Sequence, residues 1–483
     1  MPQLLTKQKQ KKLARSRGDR AKSPSPAPYQ YGWSDRVKYD YKTTPGLNPS
    51  VVTNISHQKN EPDWMLKKRH AALSLFFKKP LPNWGPDLSP LDLNSLVYYA
   101  RPTSSQVALW DKLPPSIKAT YEKIGVPQAE IKYLAGLKSQ YDSEVIYGSL
   151  KKTLIQKGVI FTSIEEGLTK YPDLFKTYFG TVVPPHDNKF AALNSAVWSG
   201  GSFLYVPKNV QVDLPLQAYF RLNLPHIGQF ERTLIIADEG SSVHYIEGCS
   251  APSYTTHSLH SAVVEIIVKP NAHVRYSTIQ NWSHNVYNLV TKRARVEKDG
   301  FMEWIDGNLG SLVTMKYPSC YLVGERARCE VLSLNLATTG QIQDTGTKCL
   351  HLAPHTSSHV VSKSVVTGSG QSIFRALAFV KKGASGSKTS VRCDTLLLDK
   401  NAKSYSFPHL KIEESDCSAT HEAVIGKIEA DQLFYLQARG LDEPAAKSLI
   451  VNGFLSPITK QLPFEYAIEL NRLINLEMSE SIG

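Results

Sequence analysis

The chain has 483 residues and a mass of 53.8 kDa, with 41% hydrophobic and 20% charged residues, so most of it is expected to be globular rather than disordered. Each apolar run meets a charge or a turn within a few residues, which excludes a bilayer-spanning helix. Residues 1–22 are basic but are not followed by an apolar segment, so we expect no secretory signal.

Residues 1–45 are predicted to form a basic, disordered tail. Residues 1–22 contribute +7 of the net charge of +13, which leaves the remainder of the chain only mildly basic. Residues 23–28 alternate serine or alanine with proline, which cannot hold a helix because proline lacks the amide donor. A solvated arm is the simplest interpretation. An arm that contacts RNA or a membrane and an organelle-targeting segment are the alternatives.

Residues 46–190 are predicted to be mainly helical. Asn60 is predicted to be the cap residue, since it precedes an early proline and acidic residues that mark the start of a helix over Trp64–Phe77. A second helix is predicted over Ser143–Tyr147, with the serine as its cap. A third is predicted over Pro172–Phe179, with glycine after its end.

Residues 191–413 change to a β pattern, in which apolar and polar residues alternate within short segments separated by turn signals. Most of these turns recur after roughly 25–30 residues, which is typical of stacked coils. A β-sandwich would also give many short strands. We favour a β-solenoid because each coil can bury its inner face only on its neighbours.

Residues 414–483 return to a helical pattern. Helices are predicted over Glu429–Arg439, from Asp442 through Val451, and over Phe464–Met478. Helical units at both ends of a solenoid are expected to cover its open strand edges.

The six cysteines all lie in the second half of the chain, and no two have C-x-x-C spacing. Sparse cysteines of this kind are typical of a reducing compartment, and they disfavour a permanent ferredoxin-like cluster. A phosphate-binding loop of the G-x-x-x-x-G-K-[ST] type is missing, so the chain is not expected to bind ATP by itself.

Several separate motifs resemble the SufB/SufD family of iron–sulfur cluster assembly proteins. Two further segments, Glu61–Leu66 and Tyr141–Glu144, resemble the SufB branch in particular. The resemblance covers roughly residues 50–483, which makes accidental similarity improbable. The family motifs are Asn194–Phe203, Glu247–Pro252, His351–Ser358, Arg392–Asp394, Thr420–Ala423, Asp431–Tyr435 and Val451–Phe454.

The resemblance implies a right-handed parallel β-helix between helical ends, and a non-enzymatic scaffold for de novo cluster assembly. It implies a complex with the paralogue SufD and with the ATPase SufC, which docks on the C-terminal helices. Sulfur is expected as persulfide from a SufS-type cysteine desulfurase through SufE, and clusters are expected to pass to apo proteins or carriers. A transient [4Fe–4S] cluster, reduced flavin, and a location in the plastid stroma or the bacterial cytoplasm are also implied.

The resemblance also assigns roles to particular residues. Cys249 matches the sulfur acceptor, and Cys393 matches the cluster-forming cysteine at the interface with SufD. His421 and Glu422 match its neighbours at the cluster, although adjacent strand residues point to opposite faces. On sequence alone, each of these residues would be interpreted as packing or surface. The residues that match the sulfur route through the β-helix interior are Arg221, Asn223, Thr278, Gln280, Trp282 and Lys298.

Three alternatives remain at this point. A SufD-like structural partner is the nearest, and Cys393, Glu422 and the upstream SufB motifs argue against it. A carbohydrate-acting β-helix enzyme would need paired carboxylates on one solenoid face, and no persuasive pair is present. A nucleic-acid-binding protein would use residues 1–22, and its binding would be sensitive to salt.

Overall fold

The computed structural model describes residues 34–35, 37–102, 113, 115–124, 134–462, 471 and 474. Most of the predicted tail and the predicted helix over Phe464–Met478, apart from Asn471 and Ile474, lie outside the described residues. The chain is mainly β and forms a β-solenoid of about eight turns, with helices in the N-terminal region and at the C-terminus. The predicted fold class is therefore confirmed.

The N-terminal region combines short helices with strands. The helices bury apolar faces on one another and on the outside of the solenoid. In chain order the elements are β1 (Tyr41–Lys42), α1 (Pro49–Gln58), α2 (Asp63–Lys78), β2 (Ala100–Arg101), α3 (Pro115–Ile124), β3 (Gly136–Tyr141), β4 (Glu144–Leu150), α4 (Lys152–Gln156), β5 (Ile160–Ser163), α5 (Ile164–Lys170), α6 (Pro172–Tyr178) and α7 (Lys189–Val197).

The solenoid strands follow, and two helices come after them. The strands are β6 (Ser202–Val206), β7 (Leu216–Arg221), β8 (Gly228–Gln229), β9 (Arg232–Ala237), β10 (Ser242–Ser250), β11 (Ser258–His260), β12 (Val263–Val268), β13 (His273–Trp282), β14 (Val286–Val296), β15 (Phe301–Gly310), β16 (Val313–Lys316), β17 (Ser319–Leu322), β18 (Arg328–Ala337), β19 (Ile342–His351), β20 (Ser357–Val366), β21 (Gln371–Val380), β22 (Ser387–Leu397), β23 (Lys403–Ile412) and β24 (Cys417–Lys427). The helices are α8 (Ala430–Gln437) and α9 (Glu443–Thr459).

The solenoid strands are distributed between two sheets that face each other across the interior, and each strand belongs to one sheet. One sheet runs in the order β24-β22-β20-β18-β15-β13-β10-β7-β3-β4, and the other runs from β23 through β21, β19, β16, β14, β12, β9 and β6 to β5. The coil-to-coil pairings are parallel, whereas β3–β4 and β5–β6 are antiparallel. Because strand side chains alternate, every second residue points into the interior and meets its equivalent in the next coil.

A ladder of turns marks one corner of the solenoid. Seven residues there have a positive φ and lie 27 to 31 residues apart, which agrees with the predicted repeat. The backbone N–H of each donates to a carbonyl of the next coil. Glycine, asparagine and aspartate suit this left-handed conformation, so turn signals in the sequence located the corner correctly. The residues are Asn209, Gly240, Asn271, Asp299, Arg326, His355 and Gly386.

Two local predictions in the N-terminal region are wrong. Residues Glu144–Leu150 form a strand that pairs with β3, not a helix capped by Ser143. Asp142, at φ 50°, makes the tight turn of this hairpin. Asn60 is not the cap of the helix that follows, because α2 begins after Pro62 and has no side-chain cap. Helix α6, by contrast, starts at Pro172 as predicted.

The two described C-terminal helices, α8 and α9, do not cover the open end of the solenoid, contrary to expectation. Residues 417–427, predicted to be helical, form the last strand. Helix α9, capped by Asp442 as predicted, packs Val451, Leu455 and Ile458 against the outer face of the ten-stranded sheet. Within the described part of the chain, β23 and β24 each pair on one side only, so the last coil presents two free strand edges.

Candidate functional site

Two columns of polar side chains run along the inner face of the ten-stranded sheet. Strand register places them in neighbouring rows, and all twelve side chains are buried. We call this set the polar stripe. Five strand steps separate its two ends, a distance of about 24 Å at the usual strand spacing. One column is Glu247, Thr278, Asp306, Ser333, Ser362 and Cys393, and the other is Cys249, Gln280, Asn308, Asn335, Ser364 and Thr395.

Two lysines from the opposite sheet project into the stripe near Cys249. Lys316 Nζ lies 3.1 Å from Asp306 Oδ1, 3.2 Å from Gln280 Oε1 and 3.4 Å from Thr278 Oγ1. Burial lowers the pKa of Lys316 to about 8. Lys292 Nζ lies 3.7 Å from Glu247 Oε1 and 3.9 Å from Asp306 Oδ1.

The Lys292 ammonium is wholly buried and makes no hydrogen bond within the described residues. The four charged groups, Glu247, Asp306, Lys292 and Lys316, balance one another and form what we call the interior charge cluster. A balanced cluster is tolerable in a dry interior, whereas any one of its charges alone would be costly. The lysines therefore supply positive charge where the stripe begins.

Cys249 lies at the cluster end of the stripe. Its side chain is 2% exposed, and its Sγ lies 3.8 Å from Glu247 Oε1. Burial, reinforced by the negative charge of Glu247, raises the pKa of the Cys249 thiol well above its usual value. At neutral pH this cysteine is therefore held as a thiol.

Cys393 lies at the other end of the stripe, on the last strand but one of its sheet. Burial, followed by the charge of Asp394, raises the pKa of the Cys393 thiol to about 12. The hydroxyls of Thr395 and Ser406 act in the opposite direction, because a donor stabilises the thiolate. Only the last strand, β24, therefore separates Cys393 from the free edge of its sheet, and its sulfur lies near the hydroxyl groups of Thr395 and Ser406.

His421 shares the inner face with Cys393. Val391 pairs with His421 and Cys393 pairs with Ala423, which makes the cysteine and the histidine diagonal neighbours on adjacent strands. Both ring nitrogens of His421 are buried and have no hydrogen-bond partner among the described residues. Burial lowers the pKa of this histidine, which favours the neutral ring that can bind a metal.

Glu422 points to the opposite, outer face. Its carboxylate is 59% exposed and lies 3.6 Å from Arg392 Nη1. The expectation that adjacent strand residues diverge is therefore confirmed, and one chain does not bring the three predicted ligands together. Among the residues that the structure describes, no group of three or more His, Cys, Asp or Glu side chains could hold a metal ion.

The six predicted route residues divide into three groups. Thr278 and Gln280 belong to the polar stripe. Trp282 also faces the interior, where its ring lies 4.6 Å from that of His260. Arg221 and Asn223 are buried on the outside of the solenoid, under the N-terminal region.

The outer pair is held by local hydrogen bonds. Arg221 Nη1 donates to Ser250 Oγ at 3.1 Å. The Asn223 N–H donates to Asp142 Oδ1 at 2.7 Å. Their expected interior placement is wrong because Cys249 pairs with Phe220, which gives Arg221 the outward parity of Ser250. Both residues anchor the N-terminal region to the solenoid instead.

The sixth residue, Lys298, lies on the surface, and its predicted interior placement is wrong. Its side chain is 57% exposed and lies in a corner turn, with Nζ 4.0 Å from Glu325 Oε2. Lys292 is the lysine that faces the interior from the same strand region. Parity along β14 carries this signal, since Lys292 shares even-numbered, inward positions with Val286, Ala294 and Val296.

The last coil presents an apolar surface beside Cys393. Six large hydrophobic side chains of β23 and β24 are 40% to 49% exposed, next to the two free strand edges. Strand register places Leu410, Ile412 and Ile425 on the inner face and the other three on the outer face. We call this the terminal-coil surface. Apolar clusters with unpaired edges are typical of protein interfaces. The residues are Tyr405, Phe407, Leu410, Ile412, Val424 and Ile425.

The C-terminal helices carry a second exposed apolar group. Phe434 is 72% exposed, Tyr435 55% and Leu449 53%. The inner side of α9 is meanwhile connected to the strand of Cys393. Lys363 lies 3.3 Å from Asp394 Oδ2 and 4.2 Å from the ring centroid of Phe454.

Comparison with known proteins assigns the family. Residues 220–454 match the model of the SUF system FeS cluster assembly SufBD core domain, and residues 128–218 match the SufBD protein N-terminal region. An iron–sulfur cluster assembly SufBD family protein of Staphylococcus aureus is 54% identical over 455 residues, which are 94% of this chain and 98% of the relative. This chain belongs to the SufBD family.

A SufBD family protein of Staphylococcus epidermidis shows the same identity and coverage as the S. aureus relative. The family membership makes the chain a component of iron–sulfur cluster assembly. Among the described residues, no helix is long and apolar enough to cross a membrane.

The thiol of Cys393 is expected to react slowly at neutral pH. With its pKa raised to about 12, only a small fraction is thiolate at pH 8, and alkylation should accelerate about tenfold per pH unit up to pH 10. The measurement is iodoacetamide labelling followed by peptide mass spectrometry, with Cys417, which is half-buried, as the internal control. Labelling of Cys393 at pH 8 as fast as in the urea-unfolded chain would contradict its enclosed position.

Proposed function

We propose that this SufBD family member is the SufB-type scaffold for de novo iron–sulfur cluster assembly. It accepts persulfide sulfur at Cys249 and builds a labile [4Fe–4S] cluster at Cys393, at the interface with SufD in a SufBCD complex. The observation that carries the proposal is the polar stripe, which joins Cys249 to Cys393 and ends at the open coil. The chain is a scaffold rather than an enzyme, and SufC supplies ATP hydrolysis.

Sulfur transfer along the stripe is supported by the chemistry of its side chains. A persulfide anion is costly to bury without partners. Hydroxyl and amide groups from Thr278, Gln280, Asn308 and Asn335 offer hydrogen bonds along the route, and the buried lysines offer positive charge at its start. An apolar interior would not offer either.

Cluster assembly uses groups that are left without partners at the last coil. Cys393 supplies a soft thiolate for iron, and His421 supplies an imidazole whose two nitrogens are unpaired within the described residues. Glu422 projects to the outer face. When a second subunit is seated on the terminal coil, the Glu422 carboxylate can complete the site there as a ligand or proton acceptor. Because one chain provides only part of the site, the cluster is held weakly and can leave.

SufD is the partner proposed for the terminal-coil surface. The free edges of β23 and β24 can pair with strands of a second solenoid, and the apolar side chains beside them would be buried by it. This would enclose Cys393 and His421 between two subunits. A SufD-like structural role for this chain is the second candidate, and Cys393 together with the SufB-like upstream motifs favours SufB.

SufC is proposed to dock on the exposed apolar side chains of α8 and α9. A shift of α9 on ATP binding would move Phe454, and through Lys363 it would disturb Asp394, the neighbour of Cys393. This contact chain gives ATP-driven motion a physical route to the assembly site. Opening of the interface would then admit iron and sulfide.

The remaining assignments are also proposals. Persulfide is supplied by a SufS-type desulfurase through SufE, and apo proteins or carriers receive the cluster. Reduced flavin is the proposed reductant, but the twelve residues of the polar stripe include no aromatic platform for its ring, so we expect it to bind elsewhere in the complex. The proposed compartment is the bacterial cytoplasm or the plastid stroma.

Replacing Cys393 by serine should abolish cluster assembly, because serine is a hard and poor ligand for iron. His421→Ala should reduce assembly by about tenfold. The measurement is anaerobic reconstitution with the desulfurase, iron, SufD and SufC, followed by absorption and Mössbauer spectroscopy. Cys417→Ser is the matched control and should assemble normally. Full activity of the Cys393→Ser variant would overturn the site assignment.

A sulfur route through the interior predicts that Lys292 affects the rate of sulfur transfer and that Lys298 does not. Lys292→Met should slow the movement of ³⁵S from Cys249 to Cys393 at least about tenfold, because an unpaired buried anion costs more than the ~1.4 kcal/mol that a factor of ten represents. Lys298→Met removes an exposed charge and should have no effect. Label at each cysteine is measured by peptide mapping, and thermal unfolding verifies both folds. Equal transfer in the two variants would count against an interior route.

Binding of SufD should depend on the terminal-coil surface. Ile425→Asp should weaken the SufB–SufD complex at least about tenfold, because it places a charge in an apolar interface. Leu214→Asp, at an exposed leucine outside the last coil, is the control. Analytical ultracentrifugation gives the association constants. Undiminished binding by the Ile425 variant would place the interface elsewhere.

A further inference from the structure

We infer that Glu247 is a catalytic residue that takes the proton from the Cys249 thiol when sulfur arrives. The inference rests on the proposed function of Cys249 as the sulfur acceptor. Glu247 and Cys249 are two residues apart on β10, so both side chains face the interior. The carboxylate oxygen Oε1 lies 3.8 Å from Cys249 Sγ, within the range of a hydrogen bond from sulfur.

A proton acceptor is needed here because the thiol cannot ionise by itself. The thiolate is the nucleophile in persulfide exchange, yet burial holds Cys249 in the thiol form. Its side chain is 2% exposed, so bulk water does not serve as the base. A base within contact of the sulfur therefore has to take the proton during the attack.

Glu247 is held in position for this role on its other side. The Tyr276 hydroxyl donates to Glu247 Oε2, which leaves Oε1 directed at the sulfur. Glu247 is wholly buried, and Lys292 Nζ lies 3.7 Å from the same Oε1. The carboxylate is thus fixed between a hydroxyl, an ammonium group and the thiol that it would deprotonate.

Lys292 makes the proton transfer compatible with a dry interior. When the proton moves from Sγ to Oε1, the negative charge moves from the carboxylate to the sulfur, and the net charge of the interior does not change. The Lys292 ammonium, which makes no hydrogen bond among the described residues, can then pair with the thiolate. The transfer avoids the large cost of creating a new buried charge.

The other titratable groups near this pair are engaged with one another. His260 and Glu231 form a buried pair, and Lys316 contacts Asp306. Tyr245 donates to Ser202 at 2.9 Å. The groups that face Glu247 and Cys249 from neighbouring strands are Glu231, Tyr245, His260, Tyr276, Lys292, Asp306 and Lys316.

The full step balances without a redox partner. Glu247 accepts the thiol proton, and the Cys249 thiolate attacks the terminal sulfur of the donor persulfide, R–S–SH. A new S–S bond forms at Cys249 while the S–S bond of the donor persulfide breaks and the R–S bond stays intact. The leaving thiolate R–S⁻ takes the proton back from Glu247, which yields R–SH, Cys249–S–SH and the original carboxylate.

The test compares Glu247→Gln with Glu303→Gln. Glu303 is a buried carboxylate on the outer face of β15, where it pairs with Arg275 and His273 and lies outside the polar stripe, so it is the matched control. Two rates are measured at pH 7 on the full chain: iodoacetamide alkylation of Cys249, and its persulfidation by the SufS–SufE pair, both by peptide mass spectrometry. Amide hydrogen exchange of β10 measures local opening in each variant, and each rate is divided by the open fraction so that the ratios report the chemistry.

A proton-accepting role predicts that both rates fall about a hundredfold in Glu247→Gln and are nearly unchanged in Glu303→Gln. Glu247→Asp, which keeps a carboxylate, should recover part of the loss. A purely electrostatic role predicts the reverse, because removing the negative charge lowers the pKa of the thiol and raises its reactivity. An equal or faster rate in Glu247→Gln overturns the inference.

Two controls distinguish a failure of the inference from misfolding of a variant and from a failure of the proposed function of Cys249. Circular dichroism melting verifies that each variant is folded. If Glu247→Gln does not fold, the rates of Glu247→Asp are used instead. An undiminished rate in Glu247→Asp overturns the inference, whereas a lower rate, as expected when the base is displaced from the sulfur, supports it. If wild-type Cys249 accepts no sulfur from the desulfurase, the proposed function fails. If wild type accepts sulfur and Glu247→Gln accepts it equally fast, only the role of Glu247 fails.

Discussion

The parallel stacking of coils imposes one constraint on every inward-facing residue: its side chain must pack against the equivalent residue of the next coil, about 4.8 Å away. For apolar residues this builds continuous ladders, such as Tyr245, Tyr276 and Trp304, whose successive ring centroids are 5.1 Å apart. For polar residues the same constraint requires partners in the same row. In the polar stripe some of these partners come from the next coil: the Thr278 hydroxyl donates to Asp306, and Asn308 Nδ2 donates to Asn335 Oδ1.

The N-terminal region depends on the outer faces of the same strands. Arg232 and Glu265 form a wholly buried ion pair on two adjacent strands, with Arg232 Nη2 2.6 Å from Glu265 Oε2. Glu265 also accepts hydrogen bonds from the backbone of Gly180, Val182 and Val183. Removal of either charge would leave the other buried and unpaired. Outward-facing residues of the strands thus hold the N-terminal region against the solenoid, whereas inward-facing residues form the polar stripe.

The two ends of the solenoid differ in a way that matters for assembly. At the first coils, antiparallel β4 and β5 terminate the sheets and the N-terminal helices cover the sides. At the last coil, β23 and β24 leave their outer edges free within the described residues, and helix α9 lies along the side. Cys393, on β22, therefore lies one strand beneath this open edge, and His421 lies on the edge strand β24 itself. The proposed assembly site would be completed only by a second subunit, which suits a cluster that must be released.

Alternation, turn residues and caps are local signals, and they were enough to favour a β-solenoid, to predict its repeat and to mark the C-terminal helices α8 and α9. The proposal of Cys249, Cys393 and His421 as site residues came from motifs that resemble the SufB/SufD family. Which face a residue occupies depends on strand register and on where each strand ends, and both are set by tertiary pairing. A shift of one residue exchanges inside and outside, which is why Arg221 lies under the N-terminal region. Asn223 lies past the end of β7, and Lys298 has the parity of Lys292 but lies past the end of β14 in a corner turn, where it is exposed. The hairpin at Asp142 was likewise beyond local reasoning, since both faces of β4 carry buried residues and only pairing with β3 distinguishes this strand from a helix.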